Sequence, residues 1–274
     1  MALVVVASAS GAPGASTVAL AMAGVWPRDS LLAECGATGN PLVFRHKAIG
    51  GKDDLDPRVG MLSLAVAGRG GIRPQLIREH TQQIHGGQRV LLGVATAEQY
   101  GTWQGMWSAL GRGFVAIKDA DVIVDLGRLG PDVPGQDLLP MASLVVLVAG
   151  TSPEEIAAVR DRAAALRERL GRDGGGAPIG ILLVDHRRHH AKLLRELPQL
   201  LARQHLAVDV LGCLPFDASG AAQLAGRKTG RVEKSELVRA VRQVVDGLRG
   251  RYGLGVEPLA EGAEGVPADA VGVG

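Results

Sequence analysis

A chain of 274 residues, 46% hydrophobic and 21% charged, holds enough apolar material for one large α/β domain or two small ones. A formal net charge of +2 excludes a polycation that binds nucleic acid through bulk charge. Two distant cysteines, Cys35 and Cys213, exclude a disulfide framework and a cysteine metal site, and fit a reducing cytoplasm. The first residues are too short and uncharged a run for a signal peptide, and no segment approaches the ~20 apolar residues a membrane span needs.

The chain opens on an apolar strand at 3–7, followed by Ser8-Ala9-Ser10-Gly11-Ala12-Pro13-Gly14-Ala15-Ser16-Thr17 and a helical pattern at 16–23. A buried strand, a glycine-rich turn and Ser/Thr at a helix start make the pattern of a nucleotide-binding P-loop. Gly11 and Gly14 permit backbone geometry in which amides converge on an anion, and the helix N-terminus adds its positive dipole end. Ser16 stands where a P-loop hydroxyl binds magnesium. The lysine that meets the β- and γ-phosphates would precede it, and that position is Ala15. The alternative reading is a plain strand-to-helix turn.

Short apolar runs at 30–33, 90–92, 122–125, 144–148, 179–184 and 208–211 read as further buried strands. Helical patterns at 57–67, 97–117 (long enough for one or two helices), 153–170, 191–203 and 234–249 alternate with them. This alternation predicts an α/β fold, a doubly wound and mostly parallel sheet with helices on both faces. Residues 81–84 and 89–92, around Gly86-Gly87, can instead pair as an edge hairpin.

The helix at 153–170 carries its own start signal, with Ser152 as N-cap, Pro153 in the first turn, and Glu154 and Glu155 at the positive dipole end. Trp103 and Trp107 lie four apart and are expected on one helical face, as core or, with Met106, as a partner surface. In the last helix Leu237, Val238, Val241, Val244, Val245 and Leu248 share one side, which suits either a membrane surface or a core-docking helix. From Gly253 the chain is rich in Gly, Ala and Pro, with four acids and no basic residue. The reading is a domain over 1–252 and a disordered acidic tail over 253–274.

Asp125 ends a strand, where it either holds magnesium through water or caps a loop. Leu211-Gly212-Cys213-Leu214-Pro215-Phe216-Asp217 is a strand that leaves the sheet into a proline turn. The run Asp185-His186-Arg187-Arg188-His189-His190-Ala191-Lys192 follows a strand at the carboxyl edge of the sheet, where open α/β folds bind ligands. It is an anion or nucleic-acid surface, a metal site from His186, His189 and His190, or a solvated loop. Arg227, Lys228 and Arg231 form a second basic loop.

The order of these motifs resembles the ParA/MinD group of deviant P-loop ATPases over roughly residues 2–250. The opening loop, Ser10 to Thr17, stands where these proteins carry KGGxGKTT. Residues Leu31 to Asn40 stand at the first switch, Val122 to Asp125 at the strand before the second, and Leu211 to Asp217 at the adenine-side loop. The stretches His80-Thr81-Gln82, Arg89-Val90-Leu91-Leu92-Gly93 and Val124-Asp125-Leu126-Gly127-Arg128-Leu129 are most similar to actinobacterial CpaE/TadZ-type members.

The resemblance implies a site for ATP or ADP with Mg²⁺ at Gly11, Pro13, Gly14, Ala15, Ser16, Thr17, Pro215 and Asp217, with Ser16 and Asp125 at the metal. It also implies a degenerate Walker A motif. The signature lysine that reaches across a dimer falls at Ser10, the P-loop lysine at Ala15, and the water-orienting aspartate of the first switch at Gly36. Asp185 replaces an asparagine near the base. Removing one preorganised contact commonly costs on the order of 10²–10³ in rate, so these losses together imply negligible hydrolysis, with weak nucleotide binding or an empty site.

The implied protein is a cytoplasmic homodimer that works as a positioning or assembly factor, recruited to a membrane-associated Tad-type pilus or secretion system. The rival readings are a weak ATPase that takes its cation from elsewhere, and a partition protein that binds DNA non-specifically.

Overall fold

The structure, a computed structural model, describes residues 1–9, 14–37, 41–48, 53–130, 133–171, 176–185 and 190–256. Eight strands form one sheet: β1 (Leu3–Ser8), β2 (Ser30–Glu34), β3 (Gln82–Gln83), β4 (Arg89–Leu91), β5 (Asp121–Arg128), β6 (Leu144–Ala149), β7 (Ile179–Asp185) and β8 (Asp209–Pro215). Their spatial order is β3-β4-β2-β5-β1-β6-β7-β8. All neighbours pair in parallel except β3 and β4, which form the edge hairpin that Gly86 and Gly87 allow, both at positive φ.

The helices are α1 (Ala15–Val25), α2 (Met61–Ala67), α3 (Pro74–Glu79), α4 (Ala97–Tyr100), α5 (Trp107–Val115), α6 (Pro153–Leu170), α7 (His190–Arg203), α8 (Ala218–Leu224) and α9 (Glu236–Tyr252). Alternation along each strand divides the core in two. Leu3, Val5 and Ala7 of β1 join Val122, Val124 and Val145 under α2 to α7. Val4 and Val6 join Ile123, Val146 and Leu182 under α1 and α9. Both faces are apolar, as a parallel sheet covered on two sides requires.

The α6 start matches its sequence signal. The Ser152 hydroxyl accepts from the Glu155 amide at 3.3 Å, and the Glu155 carboxylate accepts from the Ser152 amide at 3.2 Å, a reciprocal capping box. The apolar side of α9 is consumed by packing on α1 and β8, the core-docking alternative, and Ser235 caps its start. Leu254 beyond it is also buried.

Three local readings change. The pattern at 57–67 becomes helical only from Met61, because Asp56 folds onto the Arg58 amide and Gly60 exchanges hydrogen bonds with the Ser63 hydroxyl. The 97–117 stretch breaks into α4, a 3-10 turn at Gly101–Trp103, and α5. Trp103 and Trp107 therefore belong to different elements, yet both are fully buried, with ring centroids 5.5 Å apart. The strand expected to end at Leu211 runs on to Pro215, because Gly212, at φ +140, sits where the β7–β8 register shifts.

Candidate nucleotide site

Strand β1 is flanked by β5 on one side and β6 on the other, and successive connections leave in opposite directions from it. Crevices at the carboxyl ends of strands at such a switch point are the usual ligand sites of open α/β sheets. The described parts of the P-loop stretch, Ser8, Ala9 and Gly14 to Thr17, lie here. Gly14, at φ +90, turns the chain into α1, and the Val18 amide closes the first turn on its carbonyl at 2.9 Å. Ala15 is buried at the first helical position and contributes no charge. Ser16, exposed, and Thr17, half-buried, follow.

Asp125 lies level with Glu34 of β2 and Val6 of β1. Gly127, left-handed at φ +65, turns its amide back onto the Asp125 carboxylate at 2.9 Å. The Ser16 hydroxyl stands beside the same carboxylate, in one cavity with it. Burial raises the Asp125 pKa, and the hydroxyl and amide partly oppose that rise.

Glu34 is the neighbouring buried carboxyl. Its two oxygens accept from the amides of Leu42, at 3.3 Å, and Gly93, at 3.1 Å. Burial, assisted by the charge of Asp125, pushes its pKa up to about 8, against the pull of those amides and of the Arg45 guanidinium. Ser16, Thr17, Glu34, Asp125, Leu42 and Arg45 enclose a cavity of about 30 Å³, the room one water or ion occupies.

A second cavity of about 380 Å³ lies on the other side of Thr17. The end of β6 and the start of α6 (Gly150, Glu155) form one wall. Pro215, Phe216 and Asp217 form another, and Arg227 reaches its rim. Phe216 is about half exposed there, a flat apolar face of the kind that stacks on rings. Asp217 caps α8 by accepting from the Gly220 amide at 2.7 Å, and its other oxygen accepts from Leu237 at 3.2 Å. Burial alone would raise its pKa, but these amides and those of Glu236 and Ser219 hold it below the ordinary value.

Of the residues singled out in the sequence, Gly14, Thr17, Pro215 and Asp217 share the larger cavity, and Ser16 and Asp125 the smaller. Gly11, Pro13 and Ser10 lie outside the described residues, as do His186 to His189 and the acidic segment from 257. Gly36 rests against the backbone of Leu126 and offers no carboxylate. Asp185 is buried, and accepts from the Thr151 hydroxyl at 3.2 Å. Sequence reasoning took Glu34 and Phe216 only as parts of the switch and adenine-side stretches, and gave no role to Arg45. Glu34 was visible as a carboxylate at the end of an apolar strand; Arg45 carried no signal, because only the fold of the turn after β2 brings it back over α1.

Among the described residues no helix is long and apolar enough to cross a membrane, and no three His, Cys, Asp or Glu side chains cluster as metal ligands. No family model matches the chain, and no curated protein matches it in sequence. Solved structures do match. A ParA family ATPase from Chlorobium tepidum is 16% identical, with 89% of this chain and 98% of that one covered and a TM-score of 0.66. The septum site-determining protein MinD of Pyrococcus horikoshii, solved with Mg-ADP, is 16% identical over 94% and 99%, with a TM-score of 0.63. McdA of Cyanothece, solved with ATP, is 14% identical over 95% and 99%, with a TM-score of 0.64. At such identities these likenesses establish the fold: the eight-stranded, mostly parallel sheet is that of the ParA/MinD P-loop proteins.

Proposed function

We propose that this chain is a non-hydrolysing ParA/MinD-like protein of the CpaE/TadZ kind, a positioning or assembly factor that binds ATP or ADP with Mg²⁺. The observation that carries this reading is a contrast within one site. The Ser16–Asp125 contact and an open cavity beside Thr17 are kept, while Ala15 and Gly36 stand where a phosphate-binding cation and a water-orienting acid are expected. Ser16 and Asp125 would hold the magnesium ion, which supplies charge neutralisation for the phosphates. Pro215 and Phe216 would take the base. The degenerate Walker A motif leaves binding without efficient phosphoryl transfer.

Such a protein works by state-dependent contacts. MinD of Aquifex aeolicus has been solved in complex with MinC, and the fold shared with it supports a homodimer that engages protein partners of a membrane-associated assembly, a Tad-type pilus or secretion system among them. Calorimetric titration of ATP and ADP, with and without Mg²⁺, tests the binding half: failure to bind at millimolar nucleotide sinks it. Phosphate release in saturating ATP–Mg²⁺ tests the other half. Release clearly above that of a Thr17→Ala variant would show an enzyme and overturn the non-hydrolysing reading.

A further inference from the structure

We propose that Arg45 and Arg227 form a phosphate clamp that takes over the charge missing at Ala15. This inference rests on the nucleotide-binding reading and says how the site holds a polyphosphate.

Arg45 follows a 3-10 turn at Pro41–Phe44. The amides of Arg45 and His46 both close that turn on the Leu42 carbonyl at 3.0 Å. Leu42 is itself fixed twice, by its buried side chain and by its amide on Glu34. The turn is thereby pinned to the end of β2, and Arg45 lines the small cavity with Ser16 and Asp125.

Arg227 arrives from the other direction. Its amide closes the end of α8 on the Ala222 carbonyl at 2.9 Å, and its side chain lines the larger cavity beside Gly14 and Thr17. Gly226 joins the two halves. It is left-handed at φ +69, and its α-carbon lies so near the Arg45 carbonyl that a Cβ would come within 2.3 Å of that oxygen. The two arginines therefore leave one backbone junction toward two adjoining cavities.

Among the described residues neither guanidinium has an ion-pair partner within hydrogen-bonding distance. The carboxyls nearby are occupied. Glu34 and Asp217 accept from backbone amides, Glu155 accepts in the capping box, and Asp125 accepts from the Gly127 amide. A guanidinium is planar, permanently charged and matched to phosphate oxygens. The larger cavity suits the base, ribose and first phosphates, with Arg227 on them. The smaller one, at Ser16 and Asp125, suits the ion that the terminal phosphate would share, with Arg45 beside it.

The test titrates ATP–Mg²⁺, ADP–Mg²⁺, adenosine and pyrophosphate–Mg²⁺ into wild type, Arg45→Ala, Arg227→Ala and the two Arg→Lys variants, each checked for an unchanged melting temperature. Losing one charge-assisted contact is worth about tenfold in affinity. Arg45→Ala is expected to weaken ATP about tenfold and ADP less than twofold. Arg227→Ala is expected to weaken both and leave adenosine unchanged, with each lysine variant recovering part of the loss. If wild type binds nucleotide and both alanine variants bind it equally well, the clamp is wrong and the nucleotide site stands. If wild type binds pyrophosphate but no nucleotide, and the same variants lose it, the clamp stands and the nucleotide reading falls. No binding of any of the four by wild type overturns both.

Discussion

The Ser16 hydroxyl, presented by the first turn of α1, shares one small cavity with the buried carboxylate of Asp125 at the end of β5. Burial raises the Asp125 pKa while Ser16 and Gly127 hold it down. A carboxyl whose folded pKa lies above its unfolded value favours folding most in acid, and that contribution fades as pH rises through the folded pKa. Ser16→Ala removes one support of the charged form. The variant should be destabilised by about 1–3 kcal/mol where the carboxyl is charged, and by less as falling pH protonates it. Urea midpoints measured down a pH series check this, and equal losses throughout would contradict it.

Glu34 supplies a second pH dependence. Its pKa, raised by burial to about 8, lies above the unfolded value near 4.3. The folded state therefore binds more protons than the unfolded chain between those values, and stability falls across that window as pH rises. The expected contribution is on the order of a few kcal/mol between pH 5 and pH 8. Glu34→Gln removes the titration, although its amide group must meet one of the two amides the carboxylate now accepts from. Its stability profile should be flatter than wild type from pH 5 to 9, whatever its absolute level. A profile that keeps the wild-type slope would assign the slope to other groups.

Much of this fold can be read from the chain because parallel strands buried on both faces are unbroken apolar runs. The runs in β1, β5, β6 and β7 leave little choice, and the Ser152 capping box announces α6 residue by residue. The elements missed are those whose stability is tertiary. Helix α8 is a short Ala-Ser-Gly-Ala-Ala stretch that depends on the Asp217 cap, and the turn at Pro41–Phe44 depends on Glu34. The site divides in the same way. Gly14, Ser16 and Asp125 stand in local patterns, whereas the segments that carry Arg45 and Arg227 are neighbours only through the close approach of Gly226 to the Arg45 carbonyl.

Ala15→Lys tests what the loop has lost. The residue is buried at the first position of α1, behind left-handed Gly14. A lysine there must extend along the loop toward bound phosphate. In the nucleotide-binding reading it adds a charge-assisted contact, so ATP–Mg²⁺ affinity should rise roughly tenfold or more. Without ligand the added ammonium stands at the positive end of the helix dipole, so the apo protein should be slightly less stable. Calorimetry and thermal melts with and without ATP read both effects, and a variant with unchanged affinity would mean the loop does not hold phosphate.

Trp103 and Trp107 are buried with indole N–H groups that find no acceptor among the described residues. Their packing, together with Tyr100 at 5.0 Å from Trp107, outweighs that loss. Trp103→Ala should cost about 3–5 kcal/mol. Trp103→Phe keeps an aromatic ring and removes the orphaned donor, so it should cost at least about 2 kcal/mol less. Urea denaturation distinguishes the two, and near-wild-type stability for the alanine variant would contradict burial.

Gly226 and Gly247 make opposite predictions for the same substitution. Gly247 lies inside α9 with nothing within 4 Å of an added Cβ, so Gly247→Ala should stabilise the protein by roughly 0.5–1 kcal/mol. Gly226 is left-handed, and its Cβ would meet the backbone oxygen of Arg45, which has no side-chain freedom to yield. The conformational cost alone is about 1–2 kcal/mol, and relieving the clash must move the turn at Pro41–Phe44. Moving that turn loosens the Leu42 amide from Glu34 and lets water reach the carboxyl. The release from burial lowers the Glu34 pKa more than the lost hydrogen bond raises it, because burial is the larger cause of its shift. Gly226→Ala should therefore be destabilised overall, and its pH-linked loss of stability should end at a lower pH than in wild type. Denaturation curves at half-unit steps from pH 5 to 9 check both points. A Gly226→Ala protein with wild-type stability and an unmoved profile would show that the Arg45 turn and α8 are not in contact.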